Sequence, residues 1–246
     1  MGGSSSINGL LYVRGQPRDF DIWSQLGCTG WSWDEVLPYF KRSENWDGID
    51  ETGLRGKDGP LSVQSARLKR DIVDRWVDAA VTAGYQRNSD YKGSPQEGVG
   101  HFQLTKKGGR RCASSVAYRT PIKSRKNLKI ITNAQTKKVN IIDGRAISID
   151  IVIKDNLDTI SARREIIICA GSIGSPQILM LSGIGPGEDL KNLGIEVVSD
   201  LVGVGKNLQD HLQARPVFKT DLSTINTETS NYVKKALIGL QYILTQ

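Results

Sequence analysis

Apolar positions along this chain change their period several times, and each change marks an element. From Asp71 the residues Ile72, Val73, Trp76, Val77, Ala80 and Val81 recur at helical spacing, which predicts a core-packed helix stopped by Gly84. Upstream, Ser32-Trp33-Asp34-Glu35 spells a capping box ahead of Val36, Leu37 and Phe40. Pro38 falls near the first turns and predicts a short or kinked helix. Residues 47–60 are glycine-rich and charged and read as a loop, and 61–64 suit a short strand.

The middle of the chain is strand-rich. Residues 128–132 and 139–142 are short β-branched runs, and Asp143-Gly144 is a hairpin turn signal. Ile147, Ile149, Ile151 and Ile153 then alternate with other residues, as the buried face of one strand would. After a turn at Asp155-Asn156, residues 165–169 form an apolar run of the kind buried on both faces of a sheet. It leads into Ala170-Gly171-Ser172 and a helix, with Ser175 expected as cap and Pro176 at its first position. Strand, small-residue turn and helix outline a dinucleotide-binding arrangement, although an ordinary βα connection has the same pattern. Tyr232 to Leu244 reads as an amphipathic helix, carrying Val233, Leu237, Leu240, Ile243 and Leu244, and the chain stops at Gln246 without a cap or tail. No internal repeat or low-complexity segment interrupts this order.

Composition narrows the class. With 38% hydrophobic and 24% charged residues in 246, the chain is an ordinary globular protein of one or two domains. No apolar run approaches a membrane span, and the start lacks a basic leader and an apolar core. Cys28, Cys112 and Cys169 are odd in number and widely spaced, which predicts reduced thiols, a cytoplasmic home and no metal site. The net charge of +7 draws on Lys106, Lys107, Arg110 and Arg111 and on Arg119, Lys123, Arg125 and Lys126. Those charges suit a nucleic-acid surface or a solvated face; no aromatic platform interleaves them, which favours the face and no nucleic acid.

The opening run Gly2-Gly3-Ser4-Ser5-Ser6-Ile7-Asn8-Gly9 is richest in candidate chemistry. Paired glycines let a backbone approach a ligand, and the serines offer hydroxyls and backbone N–H groups to a phosphate or pyrophosphate. A flexible linker shares that composition, but Ile7, Leu10, Leu11, Tyr12 and Val13 would be out of place in one.

A second motif runs Gly171-Ser172-Ile173-Gly174-Ser175-Pro176-Gln177-Ile178-Leu179-Met180-Leu181-Ser182-Gly183-Ile184-Gly185. With the opening run, it resembles the two signature patterns of the glucose-methanol-choline (GMC) family of FAD-dependent oxidoreductases. Gly30-Trp31-Ser32-Trp33, Val36-Leu37-Pro38-Tyr39-Phe40, Gln96-Glu97-Gly98-Val99-Gly100 and Val204-Gly205-Lys206-Asn207-Leu208-Gln209-Asp210-His211 agree, in order, so the likeness reaches from Gly2 to His211.

The resemblance implies a mixed α/β and α+β protein: part of a Rossmann-like FAD-binding domain plus part of a substrate domain with an antiparallel sheet. It assigns 1–58 to the FAD domain with its flavin-side loop, 59–126 mainly to the substrate domain, 127–211 to the FAD domain and 212–246 to a second substrate-domain segment. Gly2, Gly3, Ser4 and Ser5 match a loop along the flavin side of FAD, and Asn8, Gly9, Leu10 and Leu11 match the stretch beside the isoalloxazine ring. Ile7 stands where some relatives carry a flavin-linked histidine, which implies noncovalent FAD. Thr136 replaces a family valine whose backbone touches the adenine, Ala170 and Gly171 match small residues close to FAD, and Asp210 and His211 match a pair that orders the cofactor enclosure.

The family's catalytic histidine falls beyond Gln246 and its G-x-G-x-x-G unit before Gly2, so neither His211 nor His101 is expected to be the base, and the chain reads as an interior fragment. The implied activity is oxidation of a primary alcohol, choline-like or aliphatic, to an aldehyde, with hydride passing to flavin N5. It leaves the electron acceptor open and is compatible with peripheral association of the full enzyme with the inner membrane. The rival reading is a non-catalytic remnant with no activity of its own.

Overall fold

The computed structural model describes residues 1–66, 70–93, 95–215 and 217–244. The chain divides into two units, Met1–Leu128 with the C-terminal segment from Phe218, and Lys129–Val217. Residue 246, which closes the C-terminal reading, lies outside the described residues.

In the first unit, α1 (Pro17–Gln25) and α2 (Trp33–Ser43) meet through aromatic rings. Phe20, which is buried, lies 5.3 Å from Trp23 and 5.6 Å from Phe40 between ring centroids. The expected capping box forms: the Glu35 carboxylate accepts from the Ser32 N–H at 3.0 Å and its hydroxyl at 2.6 Å. Those bonds hold Glu35 below the usual carboxylate pKa. Pro38 lies within α2, which nonetheless runs on to Ser43.

The sheet of this unit has the order β1 (Glu44–Trp46), β2 (Leu61–Ser65), β3 (Gln103–Lys107) and β4 (Arg110–Arg111). β1 and β2 run parallel; the other pairs are antiparallel. The predicted helix is α3 (Asp71–Thr82), and Gly84 follows it at φ +101°. Val77 of α3 and Val63 of β2 are buried with Trp46. The loop before β2 is largely exposed but is pinned at Arg55, Gly56 and Gly59, which are buried. A Cβ on Gly56 would lie 1.9 Å from the Lys41 carbonyl oxygen, so only glycine lets the loop turn there and place Arg55 against Glu44.

The second unit opens with β5 (Ala134–Ile142), β6 (Arg145–Ile153) and β7 (Asn156–Ser161), an antiparallel meander. The predicted hairpin turn holds Asp143 at φ +49° and Gly144 at +74°. Next come α4 (Gly171–Leu181), β8 (Ile184–Gly185), α5 (Gly187–Asn192) and β9 (Ser199–Asp200), with β8 and β9 parallel. Ser182 ties α4 to β5, its hydroxyl oxygen accepting from the Val139 N–H at 2.8 Å. The first unit then regains α6 (Ile225–Thr229) and α7 (Tyr232–Leu244), the amphipathic helix expected there.

Four local expectations give way. Residues 128–132 form no strand. Residues 165–169 form no strand and pair with none among the described residues, and Ile167 is 74% exposed. A doubly buried parallel strand needs neighbours on each side, and no described segment supplies them. α4 begins at Gly171, so Pro176 lies inside it and the Ser175 hydroxyl oxygen accepts from the Ala170 N–H at 3.1 Å. In β6 the buried residues are Ser148 and Ile151, not one isoleucine face, because Ser148 also pairs with the Asn140 amide at 3.0 Å.

Candidate functional site

The opening run folds into a tight loop with two differently treated faces. Gly3–Ser6 makes one 3-10 turn, and the N–H groups of Ile7 and Asn8 both donate to the Ser4 carbonyl at 3.0 and 2.8 Å. Gly2 sits at φ +101°, and a Cβ there would lie 2.4 Å from Ser6 Oγ, so both conformation and space call for glycine. Leu10 is a non-glycine residue at φ +68°. It is held there from both ends: its N–H donates to Asn8 Oδ1 at 3.1 Å, and its carbonyl accepts from Thr105 N–H at 2.8 Å and Oγ1 at 3.1 Å.

The side facing the protein is braced by the β3–β4 hairpin and the turn after it. Arg111 Nη1 donates to Asn8 Oδ1 at 2.7 Å and to the Ser5 carbonyl at 3.1 Å, while Nη2 donates to the Asn8 carbonyl at 2.7 Å. The Ser114 N–H donates to Ser5 Oγ at 3.0 Å, and the Ser114 hydroxyl donates to the Gly2 carbonyl at 3.2 Å. Further along, the Tyr12 N–H donates to the Gln103 carbonyl at 2.9 Å and the Tyr91 hydroxyl to the Tyr12 carbonyl at 3.0 Å. Gly3, Ser4, Ile7, Asn8 and Gly9 remain exposed on the other side. A rigid backbone with one open face, rich in glycine and hydroxyls, fits the flat edge of a flavin.

Gly2, Gly3, Ser4, Ser5, Asn8, Gly9, Leu10 and Leu11 are thus brought together in one loop. In the second unit, Thr136 and Ala170 line one cavity of about 240 Å³ with Val139, Ile149, Ile168 and Ile178. Gly171 opens α4 beside it at φ +81°. A shallow apolar cavity between a strand and the start of a helix suits the flat face of an adenine. Asp210 and His211 lie in an exposed segment without helix or strand; the Asp210 carboxylate accepts from the His211 N–H at 2.8 Å, and the imidazole has no hydrogen-bond partner among the described residues. His101 pairs instead with Asp74 of α3 at 3.0 Å.

Elsewhere in the first unit, Glu44 has no exposed side-chain surface and receives Arg14 at 2.5 Å and Arg55 at 2.5 Å. Arg55 also reaches Asp90 at 2.7 Å, and Lys92 Nζ donates to Gln103 Oε1 at 2.8 Å. Burial first, then the charge of Glu44, pushes the Tyr12 phenol up; burial likewise raises that of Tyr91. No group of acidic, histidine or cysteine side chains among the described residues could hold a metal ion.

Sequence reasoning missed Arg111, Ser114 and Thr105. Arg111 was part of a basic cluster that looked solvated, and only its pairing across the sheet turns it toward the loop. Lys106 of the same cluster is buried. The one available signal was Arg111 with Ser114 and Ser115, polar groups near a second serine-rich run.

The family model described as GMC oxidoreductase matches residues 1–213. The chain belongs to the GMC oxidoreductase family. The cofactor of this GMC chain is FAD, and its mixed helix-and-strand fold is that of the family's flavoenzymes. It is 44% identical over 243 residues to the oxygen-dependent choline dehydrogenase of Brucella anthropi, covering 99% of this chain and 44% of that one. To the enzyme of the same description from Sinorhizobium fredii it is 47% identical over 213 residues, covering 87% and 38%. Among solved structures, an FAD-dependent oxidoreductase from Chaetomium thermophilum superposes with a TM-score of 0.77 at 30% identity, covering 81% of this chain and 37% of that one. The pyridoxine 4-oxidase of Mesorbium loti gives 0.75 at 30% identity, with 80% and 39% covered. The chain spans less than half the length of these curated relatives. No helix among the described residues is long and apolar enough to cross a membrane.

Proposed function

We propose that the enzyme this chain belongs to oxidises a primary alcohol, choline-like or aliphatic, to its aldehyde. The observation that carries this reading is the loop at residues 2–11: Arg111, Ser114 and Thr105 hold it from one side and leave its glycines and Asn8 open on the other. Likeness to choline dehydrogenases over 99% of the chain supports the substrate class. FAD, when bound, supplies the hydride acceptor. The chain's own residues bind and orient it: Gly2, Gly3, Ser4, Ser5, Asn8, Gly9, Leu10 and Leu11 at the flavin end, Thr136, Ala170 and Gly171 at the adenine end, with Asp210 and His211 ordering the enclosure.

The binding is noncovalent, since Ile7 offers no nucleophile. Residues 1–58 and 127–211 serve the FAD domain, 59–126 and 212–246 the substrate domain. Neither His101 nor His211 is assigned the base, since neither lies in the motif to which the family resemblance gives the catalytic histidine. This reading places the enzyme in the cytoplasm and is compatible with peripheral association of the full enzyme with the inner membrane.

The test is anaerobic mixing of the flavin-loaded holoenzyme with choline and, separately, with a simple aliphatic primary alcohol. Bleaching of the flavin band with stoichiometric aldehyde supports the reading, and the preferred alcohol fixes the branch. A loaded protein that no primary alcohol reduces contradicts it and leaves a non-catalytic FAD-binding remnant.

A further inference from the structure

We infer that Arg111 is a positioning residue that fixes which way the Asn8 amide points, and so commits the loop to a hydrogen-bond acceptor on its ligand. This rests on the flavin reading of the loop. The argument is one of donors and acceptors. The Asn8 side chain meets two protein groups, the Leu10 N–H at 3.1 Å and Arg111 Nη1 at 2.7 Å. Both can only donate, so the atom facing them must be the carbonyl oxygen Oδ1. Its two lone pairs are then used, and the Nδ2 amine is left with both hydrogens on the exposed side of the loop. A carbonyl oxygen or an unprotonated ring nitrogen of the flavin satisfies that amine; the ring's own N–H does not.

Arg111 does this with a fork. One arm takes Oδ1 and the Ser5 carbonyl, the other the Asn8 carbonyl, so side chain and backbone of Asn8 are fixed by one rigid guanidinium. The partners lie on residues 103 positions apart, on the opening loop and on β4, so the sheet itself sets the amide. A lysine would keep the charge and lose the fork.

Three variants of the full-length enzyme test this, read by FAD titration, the visible spectrum of the bound flavin and hydrogen exchange over the opening loop. Arg111→Ala is expected to weaken FAD binding by about tenfold or more and to speed exchange at Asn8 to Leu10, with Arg111→Lys only a partial rescue. Asn8→Asp keeps a strong pair with Arg111 but turns an acceptor outward. Its melting temperature should hold or rise while FAD affinity falls by about tenfold or more and the flavin band shifts. Separation of stability from affinity in Asn8→Asp is what a merely structural Asn8 would not produce, and partial rescue of affinity by Arg111→Lys is what a merely structural arginine would not produce. Unchanged exchange in Arg111→Ala overturns the clamp, and wild-type affinity and spectrum in Asn8→Asp overturn the donor assignment, both with the flavin reading intact. A wild-type full-length enzyme that takes up no FAD sinks that reading and the donor assignment with it, while the exchange data still decide the clamp.

Discussion

Arg55 closes over the carboxylate of Glu44, with Nη2 at 2.5 Å from Oε1 and Nε at 3.2 Å from both oxygens. Arg14 takes the second oxygen at 2.5 Å and the Gly56 N–H joins at 3.1 Å, so the carboxylate, fully buried, is saturated with donors. Removing its charge would leave the buried Arg14 without an ionic partner and Arg55 with Asp90 alone. Glu44→Gln is therefore expected to destabilise the first unit by about 3 to 5 kcal/mol. Urea unfolding checks this, and a loss below about 1 kcal/mol would show that water enters the cluster.

Lys92 sits between aromatic rings, its Nζ 3.9 Å from the Tyr91 centroid and 4.8 Å from that of Tyr12. Burial, helped by the charge of Arg55, lowers its pKa from 10.5 to about 7. Between those values the unfolded chain binds more protons than the folded one. Stability should therefore rise with pH across that window, by at most about 1.4 kcal/mol per unit. Above the upper end the raised Tyr12 and Tyr91 phenols keep protons that the unfolded chain releases, and the trend reverses. Lys92→Met should flatten the rise. Urea midpoints measured between pH values of about 7 and 10 decide it, and a flat or falling wild-type curve contradicts it.

Gly2 and Gly3 both have positive φ, +101° and +54°, yet only Gly2 is crowded. A methyl on Gly3 meets nothing within 4 Å, whereas one on Gly2 collides with Ser6 Oγ and approaches Ser115 Oγ at 3.1 Å. Gly2→Ala should thus cost more than Gly3→Ala, with about 1 to 3 kcal/mol expected for a strained position of this kind. Thermal denaturation of the pair measures the difference; equal melting temperatures would mean that Ser6 and Ser115 move aside freely.

Ile7 is 86% exposed at the edge of the loop and carries no group that could bond to a flavin carbon. Acid precipitation of the FAD-loaded protein should leave all of the flavin in the supernatant. Yellow colour retained in the pellet would point to a covalent link elsewhere.

Features of the fold that depend on neighbours in sequence were legible. Ser32 with Glu35, and Asp143 with Gly144, are decided within four residues, and both formed as read. The α3 helix needed only its own period, but its stripe is not the core face expected: Val77 is buried, while Val73, Trp76 and Val81 are exposed. Residues 165–169 fared differently, because an apolar run becomes a strand only where partners exist to pair with it. β7, with every residue exposed, offered no hydrophobic pattern to find. The candidate loop was readable as glycine- and serine-rich, but the groups that shape it, Thr105, Arg111 and Ser114, lie some hundred positions away. Composition had placed Arg111 on a solvated face, and only the β3–β4 register turns it inward.

The account rests on the opening loop being a flavin site, and titration of the full-length enzyme with FAD, wild type beside Arg111→Ala, tests that most directly. Quenching of flavin fluorescence that saturates at one FAD per chain, and that Arg111→Ala weakens, is the expected result. FAD fluorescence that stays unquenched throughout, with a folded and colourless protein, would contradict it.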